Sequence, residues 1–310
     1  MRVWLTGGTG FVGSNIVHAA VSAGHDVTTT VHAYSPPAGV AYATERVDMT
    51  DNDAVRHSIR SRRPDVVVHC AILNDFSRMY ADRPAAWDAY VNATRHTAGA
   101  ATDVGAAFVL VSTDWVFDGT QAGADEETPP NPINLYGVLK LASEMVALER
   151  GGAVARVSGV NGIHRARPDT PRVQDPGFGY FVASIVDALR AGRPFRVWEA
   201  ETINMRATPS LAGECAEMIL EIGALGLDGV FHTCGADAVR RMELAELTCD
   251  VFDLDPALVR SGTPPPSAMI GAPVPYDTAL TTPRTSALLH RSATSLRTLL
   301  ERFRRELEAA

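Results

Sequence analysis

The amino-acid sequence predicts an α/β protein in which a parallel sheet is covered by helices on both faces and is followed by a smaller α/β domain. In the first 160 of its 310 residues, short valine-rich runs alternate with segments of helical periodicity, the pattern of strands joined by crossover helices. These runs are apolar on both faces, as expected for strands buried between two layers of helices. A glycine-rich turn joins the first run to the first helix. The sequence therefore favours a doubly wound sheet.

The first predicted domain, residues 1–160, contains strands and helices in alternation. The strands are predicted at residues 2–6, 26–31, 65–70, 107–112 and 153–158. The helices are predicted at residues 12–23, 51–62, 84–104 and 136–150. Asp51 stands at the start of the second helix, where a carboxylate can accept hydrogen bonds from the first helical turn.

The character of the sequence changes after residue 160, where residues 161–177 form a loop rich in proline and in charged residues. Beyond this loop the sequence predicts two helices, a strand and an amphipathic helix at the end. These elements are predicted at residues 178–191, 211–222, 229–234 and 295–308. Three consecutive prolines exclude a helix interior from residues 263–275. We predict a second domain at 161–310, of which the part at about 205–234 returns to the first sheet.

Composition and charge argue against several classes of protein. The chain has 28 basic and 36 acidic residues and a formal net charge of −8, which disfavours a nucleic-acid-binding protein because phosphate backbones require a basic face. The longest apolar run, residues 66–73, is too short to span a bilayer. The four cysteines form no CxxC or Cys/His cluster, so neither a disulfide framework nor a metal site is predicted. We expect a cytoplasmic protein without a membrane or nucleic-acid partner.

The glycine-rich turn spans residues 6–13 and reads TGGTGFVG. It contains GxGxxG between a predicted strand and a predicted helix, the context in which this motif binds a dinucleotide. Glycine is needed because a Cβ atom would block the tight turn and hold the backbone away from a pyrophosphate at the helix N-terminus. A glycine cluster that only forms a turn is the alternative. The predicted cofactor contacts in this turn are Gly7, Thr9, Gly10, Phe11, Val12 and Gly13.

The end of the second strand bears on the choice between NAD(H) and NADP(H). NAD-binding proteins usually place an acid there, about 20 residues after the glycines, to bind the ribose 2′-hydroxyl. Residues 30–33 contain no acid, since Asp26 lies at the opposite end of the strand and the next acid is Glu45. We therefore expect NADP(H) or NAD(H), with a slight preference for NADP(H). His32 is a candidate contact to a 2′-phosphate, and a solvated loop histidine is the alternative.

Polar residues follow the apolar run of the fourth predicted strand. Ser112, Thr113 and Asp114 stand there, and the carboxyl ends of such strands face the ligand crevice of a doubly wound fold. Ordinary capping of the strand end is the alternative. Further along, Tyr136 and Lys140 are spaced i, i+4 and share one face of a predicted helix. A cation near the phenol would lower its pKa and make it a usable acid near neutral pH.

Together these segments resemble the extended short-chain dehydrogenase/reductase family, and within it the dTDP-4-dehydrorhamnose reductases. The segments that carry the resemblance are 6–13, 47–51, 91–93, 112–119 (STDWVFDG) and 130–144 (PNPINLYGVLKLASE). The resemblance implies a Rossmann sheet in a dinucleotide-binding domain, residues 1–160, and a mainly substrate-binding domain, residues 161–310. It implies reduction of the 4-keto group of a nucleotide-linked deoxysugar by a nicotinamide cofactor, in a monomer or homodimer.

The resemblance also implies roles for single residues. Tyr136 would deliver a proton to the ketone oxygen, Thr113 would hydrogen-bond that oxygen, and Lys140 would bind the nicotinamide ribose. Asp114 and Trp115 would border the sugar. Further cofactor contacts are expected from Asp48, Met49, Cys70, Ala71, Asn92 and Ser112, with Asp48 reaching the adenine.

Two segments depart from the reductase pattern. Residues 156–159 read RVSG where the family has Arg-x-Ser-Trp, and residues 204–210 read NMRATPS. Arg206 in the second segment is a candidate donor to a sugar-nucleotide phosphate, and a surface arginine is the alternative. A sugar-nucleotide epimerase or dehydratase and a non-catalytic nucleotide-binding regulatory subunit are the other candidate functions. The intact catalytic residues favour the reductase.

Overall fold

The computed structural model describes residues 1–32, 34–36, 39–170 and 172–309. Its strands are β1 (Arg2–Thr6), β2 (Asp26–Val31), β3 (Ala43–Arg46), β4 (Val66–His69), β5 (Ala107–Thr113), β6 (Ala153–Val157), β7 (Val160–Asn161), β8 (Phe195–Trp198), β9 (Arg206–Ala207), β10 (Ser210–Leu211), β11 (Gly229–His232), β12 (Val239–Arg240), β13 (Val259–Gly262) and β14 (Asp277–Thr278). Its helices are α1 (Phe11–Ser22), α2 (Asn52–Arg62), α3 (Phe76–Ala81), α4 (Arg83–Trp87), α5 (Ala93–Val104), α6 (Leu135–Glu149), α7 (Phe181–Arg190), α8 (Ala212–Ala224), α9 (Arg241–Phe252), α10 (Pro283–Leu288) and α11 (Leu296–Glu308). A π-helical turn, Asp88–Asn92, joins α4 to α5.

Seven strands form one parallel sheet in the order β11-β6-β5-β4-β1-β2-β3. This arrangement confirms the predicted α/β fold with a parallel sheet. The order reverses between β1 and β4, where Thr6 lies opposite His69. Chain connections leave in opposite directions at such a point and open a crevice at the carboxyl ends of the strands. The glycine-rich turn after β1 and the polar end of β5 both lie at this edge.

Helices cover both faces of the sheet and bury one apolar core on each. Successive strand residues point to opposite faces, so Trp4 and Val67 enter one core, with side chains of α2 and α5. Leu5 and Val68 enter the other, with side chains of α1 and α8. The strands are therefore apolar on both faces, as the sequence predicted.

The predicted strands and helices of the first 160 residues end within one residue of the observed bounds. The edge strand β3 was not predicted, because its sequence ATER is polar and half-exposed and its pairing with β2 defines it. The helix predicted at 84–104 is interrupted by the π-helical turn. Asp51 caps α2 by accepting hydrogen bonds from the N–H groups of Asp53 and Ala54.

The later elements form a further core beside the sheet. Helices α7, α9 and α11 pack around β8 and bury Phe181, Leu244 and Phe303. The strand predicted at 229–234 is β11, which pairs with β6 at the edge of the main sheet. None of the helices in the described part of the chain is long and apolar enough to cross a membrane. The division into dinucleotide and substrate domains at residue 160 stays a prediction.

Candidate active site

The glycine-rich turn forms a closely packed cradle at the start of α1. Gly7 has φ +73°, and a Cβ atom added to it would lie 2.9 Å from the backbone nitrogen of Ala71. A Cβ atom on Gly13 would lie 2.1 Å from the carbonyl oxygen of Gly7. Gly10 is the N-cap of α1 and gives the helix no side-chain cap, so N–H groups of the first turn are free of side-chain partners. Such a helix start attracts a phosphate group, and the residues present fit a dinucleotide pyrophosphate.

Hydrogen bonds of Thr6 fix the floor of the crevice where the sheet order reverses. Its hydroxyl accepts hydrogen bonds from the N–H groups of Cys70 and Ala71, both at 3.0 Å. The same hydroxyl lies 2.8 Å from Nδ1 of His69, to which it donates its proton. Burial lowers the pKa of His69 to about 3, so the imidazole is neutral. Its Nδ1 atom accepts because the N–H groups of Cys70 and Ala71 already occupy both lone pairs of the Thr6 hydroxyl. Sequence reasoning gave His69 no role, because no motif marks it.

Cys70 and Ala71 lie beside the glycine-rich turn, where a cofactor contact was predicted for them. Burial raises the pKa of the Cys70 thiol to about 11, while Lys140 and the N–H group of Gly13 oppose that rise. The thiol is therefore neutral near pH 7, and it lies near both the start of α1 and the predicted catalytic lysine. Their cofactor role stays a prediction.

Tyr136 lies at the start of α6 among aromatic rings. Its ring centroid is 5.8 Å from that of Phe76, 6.2 Å from that of Tyr90 and 6.0 Å from that of Trp115. Asn134 caps α6 by accepting a hydrogen bond from the N–H group of Gly137 at 2.8 Å, which sets where the helix begins. The half-buried phenol thus faces an apolar wall beside the end of β5.

The expected lowering of the Tyr136 pKa by a nearby cation is wrong for this structure. Burial raises the pKa of Tyr136, and a side-chain hydrogen bond with Thr113 opposes the rise. The Lys140 ammonium instead donates to the carbonyl oxygen of Val111 at 2.8 Å. Burial lowers the pKa of Lys140 to about 8. Tyr136 is therefore a neutral phenol near pH 7, which is the form that holds a proton to donate.

Asp114 does not have the position expected of a residue that borders a sugar. It is buried, and its carboxylate accepts hydrogen bonds from the hydroxyls of Thr113 at 3.0 Å, Ser158 at 2.8 Å and Thr278 at 2.6 Å. Burial raises its pKa and these three hydroxyls oppose that rise. Asp114 is a buried link between the ends of β5, β6 and β14, because it needs these donors once it is removed from water.

The hydroxyl of Ser112 is bonded to α6, and its predicted cofactor contact stays a prediction. It donates to Oε1 of Glu144 on α6 at 2.5 Å. Glu144 forms a buried bidentate ion pair with Arg156, whose Nε and Nη2 atoms lie 2.9 Å and 2.7 Å from its oxygens. Sequence reasoning missed this pair, although Glu144 follows Lys140 by one helical turn. The pair joins α6 to β6 and so holds the catalytic helix against the sheet.

Asn92 is bonded within its own helix rather than to the crevice. Its amide donates to Asp88 and accepts from Arg95, on the exposed side of that helix. Both the nitrogen and the oxygen of its amide have a partner in this structure, and the cofactor contact of Asn92 stays a prediction. The Asn92 side chain is half-exposed.

The predicted adenosine contacts lie at the ends of β2 and β3. His32 is exposed, and Ala33 after it lies outside the described residues. Oδ1 of Asp48 accepts hydrogen bonds from the N–H group and hydroxyl of Thr50, at 2.9 Å and 2.7 Å, which lower its pKa. The carbonyl oxygen of Met49 lies 3.1 Å from a ring nitrogen of His96. Contacts of these residues to a cofactor stay predictions.

A second wall of the crevice comes from the later part of the chain. A Cβ atom on Gly177 would lie 3.3 Å from Cζ2 of Trp115 and 3.2 Å from Oδ1 of Asp175, so the three residues are neighbours. Asp175 is exposed, and its carboxylate lies near the buried Arg241 and the N–H groups of Gly177 and Gly179, which favour its charged form. We call the side lined by Trp115, Asp175 and Gly177 the tryptophan side. Sequence reasoning missed Asp175, which stands in a loop without a motif.

Arg206 lies on β9, where its Nη1 atom is 3.0 Å from Oδ2 of Asp277. The exposed Arg240 is its cross-strand neighbour on β12. The predicted phosphate contact of Arg206 stays a prediction. In the described residues, no group of three histidine, cysteine or acidic side chains is arranged to hold a metal ion.

Three features define an extended short-chain dehydrogenase/reductase: the strand order, the glycine cradle, and Tyr136 and Lys140 on α6 beside the end of β5. The chain belongs to the family described as RmlD substrate binding domain, whose profile matches residues 1–309. The predicted resemblance and the predicted class of enzyme, an NAD(P)-dependent reductase of this type, are thereby confirmed.

Three relatives illustrate the range of this family. A probable low-salt glycan biosynthesis reductase, Agl14 of Haloferax volcanii, is 31% identical over 84% of this chain and 83% of its own length. A dTDP-4-dehydrorhamnose reductase of Mycobacterium tuberculosis is 28% identical over 88% and 82%. The methionine adenosyltransferase 2 subunit beta of Mus musculus is 27% identical over 90% and 80%.

Solved structures share the fold over nearly the whole chain. A hypothetical dTDP-4-dehydrorhamnose reductase from Sulfolobus tokodaii superposes with a TM-score of 0.76 and 28% identity, covering 96% of this chain and 97% of that one. A dTDP-4-dehydrorhamnose reductase of Bacillus anthracis in complex with NADP has a TM-score of 0.77 and 22% identity, with 98% of each chain covered.

Proposed function

We propose that this protein uses NAD(P)H to reduce the 4-keto group of a nucleotide-linked deoxysugar. The observation that carries the proposal is Tyr136, a neutral phenol beside Thr113 at the end of β5. This phenol shares one crevice with the glycine-rich turn, since Cys70 lies near Tyr136 and Lys140 and its carbonyl carbon would lie 3.1 Å from a Cβ atom on Gly7. A proton donor next to a dinucleotide cradle is the arrangement that ketone reduction requires.

The chain's own residues supply the proton and position the ketone. A nicotinamide dinucleotide, when bound at the glycine-rich turn, supplies the hydride that reaches the carbonyl carbon. The Tyr136 hydroxyl gives its proton to the ketone oxygen, so the carbonyl becomes an alcohol and the phenolate regains a proton from solvent. The Thr113 hydroxyl, which donates to Asp114 while no substrate is bound, turns its proton to the same ketone oxygen. The Lys140 ammonium, directed by Val111, binds the ribose next to the nicotinamide.

The sugar would lie on the tryptophan side of the crevice. The half-buried indole of Trp115 offers an apolar face, and the Asp175 carboxylate offers a hydrogen-bond acceptor for sugar hydroxyls. NADP(H) is the proposed preferred cofactor, because the end of β2 carries no acid that would repel a 2′-phosphate.

A turnover assay tests this proposal. Purified protein is mixed with NADPH or NADH and with dTDP-, UDP- or GDP-linked 4-keto-6-deoxy sugars, and loss of the reduced nicotinamide is followed. We expect external NADPH to be consumed only when a keto-sugar nucleotide is present. An epimerase would instead keep its cofactor, so NAD⁺ released on denaturation together with sugar conversion that needs no external reductant would contradict the reductase.

A non-catalytic nucleotide-binding subunit is the second candidate, since one relative is a subunit of methionine adenosyltransferase. The complete set of Thr113, Tyr136 and Lys140 favours catalysis, because a binding module does not need all three. Saturable binding of NADPH without turnover of any keto-sugar nucleotide would favour the second candidate.

A further inference from the structure

A loop between β7 and α7, described at residues 162–170 and 172–180, crosses the start of α1 and reaches the segment after β2. The carbonyl oxygen of Ile163 accepts a hydrogen bond from Nδ2 of Asn15 on α1 at 2.9 Å. The Tyr34 hydroxyl, three residues beyond the end of β2, donates to the carbonyl oxygen of Ala166 at 3.0 Å. These contacts fix the loop over the side of the crevice where the adenosine half of a dinucleotide belongs.

Two guanidinium groups of this loop lie along that side. The Arg167 guanidinium is 5.8 Å from the centroid of the Tyr34 ring. The Arg172 guanidinium is 4.9 Å from the centroid of the Tyr180 ring, and that ring lies 4.4 Å from the ring of Phe11, the first residue of α1. The two cations therefore lie between the end of β2 and the glycine-rich turn.

Neither guanidinium has an acidic partner in the described part of the chain, where no carboxylate oxygen comes within 4.0 Å of Arg167 or Arg172. Arg165 in the same loop differs, since its Nη2 atom pairs with Glu306 at 3.1 Å. The Nη2 atom of Arg172 donates to the backbone carbonyl oxygen of Arg167 at 2.7 Å, so the two residues are neighbours. Two neighbouring cations without acidic partners repel each other, and an anion bound by both would remove that repulsion.

The buried His164 lies next to Arg167. It is 3% exposed, its Nε2 atom lies 3.4 Å from Nη2 of Arg167, and its Nδ1 atom has no hydrogen-bond partner among the described residues. A buried polar atom without a partner costs free energy unless a ligand or a water meets it. Tyr180, which holds Arg172, has the unfavourable φ of 57°, a strain typical of functional sites.

We propose that Arg167 and Arg172 bind the 2′-phosphate of the cofactor, so that this loop selects NADP(H). The inference rests on the proposed function, since it concerns the same dinucleotide site. A phosphomonoester dianion suits a pair of arginines because each planar guanidinium can donate two hydrogen bonds to it. The cations would thus come from a segment more than 130 residues after β2, rather than from the end of β2 itself.

Calorimetric titration of the full-length protein tests the assignment with two nucleotides. Adenosine 2′,5′-bisphosphate carries the 2′-phosphate, and 5′-AMP lacks it. We expect Arg167→Gln and Arg172→Gln each to raise the Kd of the bisphosphate about tenfold or more, the scale of one charge-assisted hydrogen bond. The Kd of 5′-AMP should change less than about twofold. Arg165→Gln, in the same loop but paired with Glu306, is the matched control and should leave both unchanged.

Equal losses for both nucleotides would overturn the assignment, because the arginines would then act on the 5′-phosphate or through general charge. Unchanged affinities, or no binding of the bisphosphate by the wild-type protein, would overturn it as well. Thermal unfolding without ligand checks that each variant folds. Should Arg172→Gln unfold, Arg172→Lys keeps the charge without the planar fork and should give an intermediate loss. No sugar enters this assay, so its outcome is separate from that of the turnover test.

Discussion

The two sides of the crevice are built in different ways. On the cofactor side, the cradle for the pyrophosphate comes from one short stretch, residues 6–13, and involves mainly backbone atoms that glycine leaves accessible. On the tryptophan side, Trp115 and Asp175 come from segments 60 residues apart, and the end of β5 is bound to β14 through Asp114 and Thr278. A local motif therefore determines the first side, while tertiary contacts assemble the second.

This difference determines on which side of the crevice ligand specificity can change between members of the family. Backbone N–H groups at a helix start recognise a pyrophosphate whatever the surrounding side chains are. Side chains brought together from distant loops can be exchanged without changing the sheet. Relatives of this chain include reductases and a subunit of methionine adenosyltransferase, as expected if the second side carries the specificity.

The largest loss of stability is expected from removing the Asp114 carboxylate, because it joins the strands that carry the tryptophan side. Asp114→Ala leaves three hydroxyls without their buried acceptor, and we expect it to lower the free energy of unfolding by about 3 kcal/mol or more. Urea denaturation measures this loss.

Asp118→Ala is the control for this prediction. Its carboxylate accepts hydrogen bonds from the N–H group and hydroxyl of Thr120 at a partly exposed turn, so the cost should stay below about 1 kcal/mol. Similar losses for both variants would show that Asp114 does not link the strands.

The next effect concerns Tyr136, which lies between the two sides. Tyr136→Phe should retain nicotinamide binding and lose at least about a hundredfold in turnover, the usual contribution of a general acid. Steady-state kinetics and a cofactor titration measure the two quantities separately.

Tyr90→Phe makes the same chemical change on a ring 6.2 Å away. The Tyr90 hydroxyl donates to the carbonyl oxygen of Leu73 at 3.0 Å, so its loss should reduce stability and leave turnover nearly unchanged. Near-normal turnover of the Tyr136 variant with unchanged cofactor affinity would remove Tyr136 from the mechanism.

The contrast between a local motif and contacts distant in sequence also decides how much of the molecule could be predicted. Strands of the sheet follow from valine-rich runs, and the glycine cradle follows from one spacing, because both are local. The family resemblance placed Asp114 beside the sugar, whereas in the structure it binds Ser158 and Thr278, which lie 44 and 164 residues away. No periodicity reveals such a contact. The hydroxyl of Ser112 likewise turns to Glu144, and only the packing of α6 on β5 shows it.

The cofactor side also contains residues that no motif indicates. His69 is 63 residues from the Thr6 hydroxyl that it binds, and it reads as a break in an apolar run. Arg167 and Arg172 stand in a loop whose charges are typical of a solvated surface. Only the fold brings these side chains to the glycine-rich turn, so the local motif predicts the cradle and not its surroundings.

The smallest expected effect is a pH dependence of the free energy of unfolding, which arises from His69 on the cofactor side. Burial holds the pKa of His69 at about 3 in the folded protein, against about 6.5 in an unfolded chain. Between these values the unfolded chain binds a proton that the folded protein does not bind, so the free energy of unfolding falls as the pH is lowered through this range. From pH 7 to pH 5, His69 should account for about 2 kcal/mol of that fall.

His69→Asn tests the effect, because an amide oxygen can accept the Thr6 hydrogen bond and does not titrate. Urea denaturation at pH 7 and pH 5 should show a difference about 2 kcal/mol smaller for this variant than for the wild-type protein. His57→Asn, on the exposed side of α2, should keep the full difference. The buried His232, whose pKa burial lowers to about 4, should maintain part of the dependence in every variant. An unchanged difference in His69→Asn would mean that His69 is not a neutral acceptor, and that the floor of the crevice does not depend on it.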